Sequence, residues 1–546
     1  MFKKISAFIA ALTITASAFG ALPINNTLAA SEDKVDLSTE YKSYFPDIFY
    51  QTYSSCVSCS STLYQLTYEV RKKYAEEYGI DFTETMSPAF TFDHLNNGND
   101  KGSLLKLAYM FLRNKGALTS ADSPYDWSHY DLKKIETRPE KLTKALKTRV
   151  ANVNCITTDF SNEDKTIEQI KEQLRNGKVV TTEGNFNYDY YKGSYDMAGR
   201  PQDDRIYRYK TNTTESAYVQ NTELYGYPYY VDGEEKWDDG YIGHAYTIVG
   251  YDDNITVKYD DNTTLKGAFK ILNTWGTGWG NSGYMWIMYD AFYQNSRQGV
   301  KCVNSDRYRV PAFTSGNFYT VDVDFKDIKL VAEADVETSN QSGISLWTTK
   351  LENGKTLGTQ ERYDWDHYYR SEDDNNVPYS GSVVDDIDDL CNDDYFTNKS
   401  YRIEVRNTPK DQPSIKVNSI SLRDDLGNIV AQKTLDNGSN GGYIDLDLKR
   451  GDINYDGVIN SDDTAMIHEY LGNSDVTAFS TLQRELMDIN RNGRIDDTDA
   501  EIINFIDTGR YVTESGAVYT GWHLICGDSF FLDENGVKIT NAFIDD

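Results

Sequence analysis

Residues 273–287 read NTWGTGWGNSGYMWI, and residues 243–253 ahead of them read GHAYTIVGYDD. Alternating apolar, β-branched and aromatic residues predict strands over Gly243 to Tyr251, Gly267 to Asn273 and Tyr284 to Tyr289. If the first two close as an antiparallel hairpin around the Asp/Asn-rich turn between them, a register whose partner numbers add to 517 pairs both Tyr251 with Lys266 and His244 with Asn273. A turn centred nearer Asp261 would shift that sum by about five. In either register His244 and Asn273 share one end of the sheet. A histidine flanked by Gly243 and faced by an amide is a pair that can aim an imidazole, beyond filling a sheet.

Upstream, Cys59, Leu63, Leu66, Val70 and Tyr74 recur at helical spacing from about Ser54 to Tyr78, and Gly79 stops the run. Further helical patterns cover Ser103 to Asn114, ended by Gly116, and Ile167 to Arg175, ended by Gly177. Helices first and strands second predict an α+β domain. Cys56 stands at the start of the long helix, where a thiol beside a histidine is expected to lose its proton more readily than a free thiol of pKa about 8.5. At 100° per residue Cys59 instead falls in the buried stripe of Leu63, Leu66 and Val70.

These stretches resemble the papain-like cysteine peptidases. NTWGTGWG looks like the family's Asn block, with Thr274 replacing only its serine, and GHAYTIVGYDD looks like its His block. SCVSCSSTLYQLTYEV from Ser55 resembles the nucleophile block, SPAFTFDHL from Ser87 the segment between the first helices, and the likeness spans about Asp36 to Tyr308. It implies a thiol peptidase acting on proteins or peptides without a cofactor for catalysis. Its nucleophile would be Cys56, its acid and base His244, its orienting residue Asn273, and its oxyanion-hole amide Gln51. The rival alignment reads Cys56-Val57-Ser58-Cys59 as the family's Cys-Gly-Ser-Cys, which makes Cys59 the nucleophile and leaves Cys56 needing a disulfide partner, the next cysteine being Cys155. Gln51 is followed by Thr52 where the family has glycine, and Val57 stands where it has tryptophan. Those departures keep a second expectation open, a catalytically inactive papain-like module that binds peptides or scaffolds other proteins.

A second signal lies nearer the C-terminus. DINYDGVINSDD from Asp452 and DINRNGRIDDTD from Asp488 repeat with an offset of 36 residues, and each precedes an apolar helical stretch. Oxygen side chains at loop positions 1, 3, 5, 9 and 12 with glycine at 6 suit a loop wrapped around a hard cation. Ile459 and Ile495 fall in register as core anchors. From about Gly451 to Asp507 the chain resembles a type I dockerin, the duplicated calcium module that binds a cohesin of a cellulosome scaffold. The resemblance implies two calcium ions, held by Asp452, Asn454, Asp456, Asn460 and Asp463 in one loop and by Asp488, Asn490, Asn492, Asp496 and Asp499 in the other. It assigns cohesin contact to Ser461 and Asp462, and to Asp497 and Thr498.

The chain's 546 residues, at ~150 per domain, predict three to four domains. A net charge of -30, from 85 acidic against 55 basic residues, disfavours nucleic acid and anionic membranes as partners and suits divalent cations. Mean hydropathy is -0.61, yet 39% hydrophobic and 13% aromatic residues are too many for a disordered chain. Residues 1–30 read as a secretory signal, with Lys3-Lys4, an apolar run from Ile5 to Leu22, Pro23 and small residues up to Ala30. No later stretch could span a bilayer. The six cysteines, Cys56, Cys59, Cys155, Cys302, Cys391 and Cys526, are too sparse for a disulfide framework.

The expected organisation is thus a signal over 1–30 and a papain-like domain over 31–310, whose Tyr-rich polar stretch from Asn187 to Gly240 reads as a surface excursion. A β-sandwich over 311–449 follows, built on Tyr319 to Phe325, Ile344 to Thr348, Tyr401 to Val405, Ser414 to Leu422 and Tyr443 to Leu448. Its Trp347, Trp365, His367 and Tyr369 read as scattered aromatics. A small α-helical dockerin over 450–509 comes next. The tail, 510–546, contains TGWHLICGDSFFLDENGVKITNAF, which resembles a single cell-wall-binding-type repeat or else forms a hairpin packed on its neighbour through Trp522 and Phe531. The product would be exported and held at the cell surface by a polysaccharide-degrading cellulosome.

Overall fold

The computed structural model describes residues 33–96, 100, 102–125, 135–159, 161–187, 208–210, 212, 216–218, 227–231, 234–238, 241–258, 264–289, 316–325, 328–339, 344–363, 378–391, 399–407, 415–436, 438–473, 476–513, 516–525 and 528–539. The expected signal, Cys302, Cys526, Trp365, His367, Tyr369 and most of the Tyr-rich stretch lie outside the described residues.

A single helix runs over residues 56–78, widening to π geometry over Cys59–Leu66 and Tyr74–Tyr78. Gly79 ends it at φ 66°, a left-handed conformation that costs glycine least. Its buried side chains include Leu63, Tyr64, Leu66, Tyr68, Val70 and Tyr74. Helices Pro88–Asn96 and Leu105–Lys115 pack beside its first turns, closing a core of Leu66, Phe90, Leu105 and Phe111. The opposite side of the helix meets a sheet whose inner residues are Tyr246, Ile248, Phe269 and Ile271.

In that sheet Tyr241–Lys258 is central, pairing antiparallel with Val180–Asn187 on one side and Thr264–Leu272 on the other. The hairpin register changes along its length. Partner numbers add to 522 beside the turn (Thr256 with Lys266), to 520 in the middle (Tyr251 with Phe269) and to 519 at the far end (Thr247 with Leu272). The sum beside the turn is thus five above 517, and two bulges take back part of that shift, so the expected pairing of Tyr251 with Lys266 does not occur. Ser216–Tyr218, inside the expected surface excursion, adds a parallel strand beside Tyr284–Met288.

The expected first strand of the sandwich, Tyr319 to Phe325, belongs elsewhere. Asn317–Val323 pairs with Val150–Thr157 and with Val180–Asn187 in the first sheet, and Tyr319, Val321 and Phe325 are buried in the core of the first domain. The sandwich thus begins after Phe325. Its two four-stranded antiparallel sheets contain the other four expected strands, together with Val331–Thr338, Lys355–Tyr363, Tyr379–Asp386 and Ile429–Thr434. Residues such as Ala332, Leu346, Ile403 and Ile420 fill the space between the sheets.

That core does not stop at the next domain. It continues through Leu448 into Ile453, Ile467, Leu482 and Ile503 of the two-loop helical segment, and on to Tyr511 and Leu532 of the tail. In the tail, Gly521–Ile525 and Asp528–Leu532 form a hairpin with Trp522 opposite Phe531, their rings 5.5 Å apart. Among the described residues no helix is long and apolar enough to cross a membrane, and Cys56, Cys59 and Cys155 are in no disulfide.

Candidate active site and calcium loops

His244 lies on the central strand and Asn273 just past the end of its partner strand. The ladder between the two strands ends at Thr247 with Leu272, so both residues lie past its last pair, where the Trp275 ring comes within 4.6 Å of the imidazole. His244 Nε2 and Asn273 Oδ1 are 2.6 Å apart in a buried contact. The direction of that bond is fixed by a second one. The Thr274 amide donates to the same Oδ1 at 2.7 Å, which identifies the atom as the amide's oxygen, so Nε2 must carry the hydrogen it shares. His244 therefore presents Nδ1 on its other edge.

Two further contacts hold the backbone of Asn273. Its amide donates to Gly283 O at 3.0 Å, and the Tyr64 hydroxyl of the long helix donates to its carbonyl at 3.2 Å while accepting the Phe49 amide at 2.9 Å. The glycines of the quoted stretch make the loop between them. Gly280 sits at φ +57°, and a Cβ there would lie 2.4 Å from Tyr284 O. Trp275 and Trp279 pack edge to face at 5.4 Å, both buried in the core beside the sheet.

Cys56 opens the helix against the other side of this strand. The backbone amides of Ala245, one residue past His244, of Val57 and of Cys56 lie near its sulfur, where they favour the thiolate. Cys56, Val57, His244, Ala245, Gly243 and Glu183 line one cavity of about 430 Å³ together with Gly184 and residues 102–104. Cys59 is absent from that wall among the described residues; it is wholly buried, with Ser55 Oγ 3.6 Å from its sulfur. The arrangement does not show the readily ionised thiol that a helix start suggests. Burial outweighs the amide donors and pushes the Cys56 thiol up to about 11, and burial likewise brings the His244 imidazole down to about 4 against the opposing effect of Asn273. The resting pair is thiol and imidazole.

Gln51 is brought beside the pair, although it does not line the cavity among the described residues. Its backbone amide donates to Thr274 O at 2.8 Å, the Thr274 hydroxyl donates to its Oε1, and its Nε2 donates to Tyr53 O at 2.9 Å. Thr274 thus keeps a hydroxyl where the resemblance expects serine. Glu183, Tyr64 and Ala245 are site residues that the sequence reading missed. Nothing in the run VTTEG marks Glu183, because its place comes from a strand pairing with a segment some sixty residues away, Glu183 opposite Ala245.

In the repeat, each loop wraps as its spacing requires. Gly457 and Gly493 at position 6 adopt φ +87° and +81°. Asp463 Oδ1 accepts the Ile453 amide at 2.7 Å, and Asp499 Oδ1 accepts the Ile489 amide at 3.0 Å. Asn460 and Asp496 cap the helices Ser461–Gly472 and Asp497–Thr508, which pack together. Asp452, Asn454, Asp456, Asn460 and Asp463 stand at positions 1, 3, 5, 9 and 12 of one loop, and Asp488, Asn490, Asn492, Asp496 and Asp499 at the same positions of the other. Asp452 Oδ1 is buried without a hydrogen-bond partner, as befits an atom meant for a cation, so the donor set fits calcium. Ser461, Asp462, Asp497 and Thr498 are exposed on the first turns of the two helices.

Residues 450–505 match the family profile of the Dockerin type I domain. The C-terminal helical segment carries a type I dockerin. No curated protein matches the chain. Among solved structures the chain is similar to xylellain, a cysteine protease from Xylella fastidiosa, at 16% identity over 56% of this chain and 91% of that one, with a TM-score of 0.32. It is similar to proCathepsin B S9 from Trypanosoma congolense at 14% identity over 57% and 85%, TM-score 0.31, and to the bromelain protease from Ananas comosus at 14% over 54% and 99%, TM-score 0.30. A helix opening on a cysteine is packed on a sheet that presents His and Asn, an α+β arrangement followed by a β-sandwich and a dockerin.

Proposed function

We propose that this chain is a secreted cysteine endopeptidase that hydrolyses peptide bonds through Cys56, His244 and Asn273, and that its dockerin fixes it to a cohesin of a cellulosome scaffold. The observation that carries the reading is the 2.6 Å His244–Asn273 bond with its donor sense set by the Thr274 amide, beside a cavity that also holds the Cys56 sulfur. An imidazole oriented in this way can take the thiol proton on Nδ1 as Sγ attacks the substrate carbonyl. The oxyanion that forms would be met by the Cys56 amide at the helix start, with Gln51 Nε2 as second donor once it leaves Tyr53 O. Collapse of the intermediate breaks the C–N bond, and the imidazolium gives its proton to the leaving amine. Water, deprotonated by His244, then releases the acyl group from Cys56.

The second reading, a peptide-binding module without turnover, draws on the present engagement of Gln51 Nε2 with Tyr53 O. Treatment with a thiol-directed epoxide, followed by mass spectrometry and a peptide-cleavage assay on the same sample, separates the two. Alkylation of Cys56 with cleavage supports the peptidase. Alkylation without cleavage supports the binding module, and alkylation of Cys59 alone removes Cys56 as nucleophile.

In the dockerin, two calcium ions would be held by the two sets of loop residues, where they supply charge neutralisation and ordering. Ser461, Asp462, Asp497 and Thr498 would face the cohesin.

A further inference from the structure

We propose that Glu183 makes this site selective for peptides carrying a Lys or Arg side chain next to the scissile bond. The inference rests on the peptidase reading and adds a substrate class to it. Val180–Asn187 runs antiparallel to the strand of His244, and Glu183 lies opposite Ala245, the residue whose amide meets the Cys56 sulfur. Its side chain lines the same cavity as Cys56 and His244. Among the described lining residues it is the one carboxylate, and none is Lys or Arg. The other described lining residues are apolar, glycine or neutral polar groups, so none of them repels a cation placed there.

The carboxylate is held in place as well as charged. Its Oε2 accepts the amide of Leu105 at 3.1 Å, the first residue of the eleven-residue helix Leu105–Lys115, where the helix dipole favours a negative group. A carboxylate pinned at the edge of the substrate cavity attracts an incoming cation and disfavours an acidic side chain at the same position. It also stands close enough to Cys56 to oppose formation of a thiolate. A cationic substrate offsets that repulsion when it binds, so selectivity should appear in kcat as well as in KM.

The test uses the full chain and fluorogenic peptides in matched pairs, with lysine or its neutral isostere norleucine placed in turn at each position before the scissile bond. At one position the lysine peptide should be favoured on the order of tenfold in kcat/KM, the size expected of a hydrogen bond to a charged group. The ratio should fall to near one in Glu183→Gln and be retained in Glu183→Asp. Should Glu183→Gln fail to fold, the wild-type ratio is followed against ionic strength; it should shrink as salt screens the pair. A ratio near one in the wild type, a ratio unchanged in Glu183→Gln or by salt, or an equal loss on both peptides would overturn the proposal. If no peptide is cleaved, the peptidase reading falls by itself, and the same pairs are compared by fluorescence polarisation. There a lysine preference lost in Glu183→Gln supports the role of Glu183, and equal binding overturns it.

Discussion

Burial holds both Cys56 and His244 in their neutral forms over a wide pH interval. With the imidazole brought to about 4 and the thiol pushed to about 11, the form holding one proton between them persists across the whole interval. Epoxide labelling of Cys56 should therefore be level from about pH 5 to pH 9 and fall below about pH 4 as His244 takes a second proton. His244→Ala should replace this plateau with a rate that climbs throughout the alkaline range. An unchanged plateau in that variant would exclude His244 as the base. His94 makes a separate prediction about stability. It is buried between Phe90 and Phe111, ring centroids 4.5 and 5.1 Å away, and burial brings it to about 4 from 6.5. The folded state then stays unprotonated while the unfolded state binds a proton, so stability present above pH 6.5 is lost as pH falls towards 4, by roughly 1.4 kcal/mol per unit. His244 acts with the same sign. Glu69, raised to about 7 by burial against the pull of Lys178, acts with the opposite one, its contribution growing as pH falls. The difference between wild type and His94→Phe isolates His94: denaturant unfolding at pH 7 and pH 5 should show a variant whose stability falls about 2 kcal/mol less. Equal slopes would mean that His94 titrates normally.

At the scale of elements, legibility followed periodicity and spacing. The long helix, its stop at Gly79, the strands about His244 and Asn273 and the two Asp/Asn-rich loops of the dockerin could be read because each is specified by neighbours within one turn or one hairpin. Val331–Thr338 and Tyr379–Asp386 escaped because acidic residues interrupt their alternation, and some of those acids are buried through pairing, as Glu333 is by Ser382 and Arg423. The two Asp/Asn-rich loops give a prediction at this scale. Asp452 has a buried oxygen with no protein partner, and the carboxylates of Asp463 and Asp456 lie near enough to repel it, so removal of the proposed calcium should leave repulsion that the backbone amides offset only in part. Chelation should melt the segment from about Gly451 to Asp507 and abolish cohesin binding in calorimetric titration, and Asp452→Ala with Asp488→Ala should do the same. Cohesin binding undiminished by chelator would remove the calcium assignment.

Across the whole molecule the domains are joined by buried polar contacts at one turn of the sandwich. Asp425 Oδ2 accepts from Lys147 of the first domain at 2.8 Å, both groups being almost fully buried, and Asp425 Oδ1 accepts the Thr481 amide of the dockerin at 2.7 Å. The adjacent Asp424 accepts the hydroxyl of Tyr455, which lies inside the first calcium loop, at 3.0 Å. Lys147→Ala should cost about 3 kcal/mol in denaturant unfolding by leaving Asp425 buried without its cation, and pairing it with Asp425→Asn should return part of the loss. A change below about 0.5 kcal/mol would mean that the junction opens to water. Local sequence determined the chemistry-bearing residues themselves: the cysteine at a helix start, the histidine and asparagine at neighbouring strand ends, the two oxygen-rich loops. Spacing along the chain is enough for those, because each is set by short-range geometry. Tertiary structure alone decided the rest. It moved Asn317–Val323 into the first sheet, placed Glu183 in the wall of the Cys56 cavity and let burial override the helix start in setting the Cys56 proton. Each of these depends on which distant segment comes to lie alongside, and on how much water that contact excludes, quantities that no window of sequence contains.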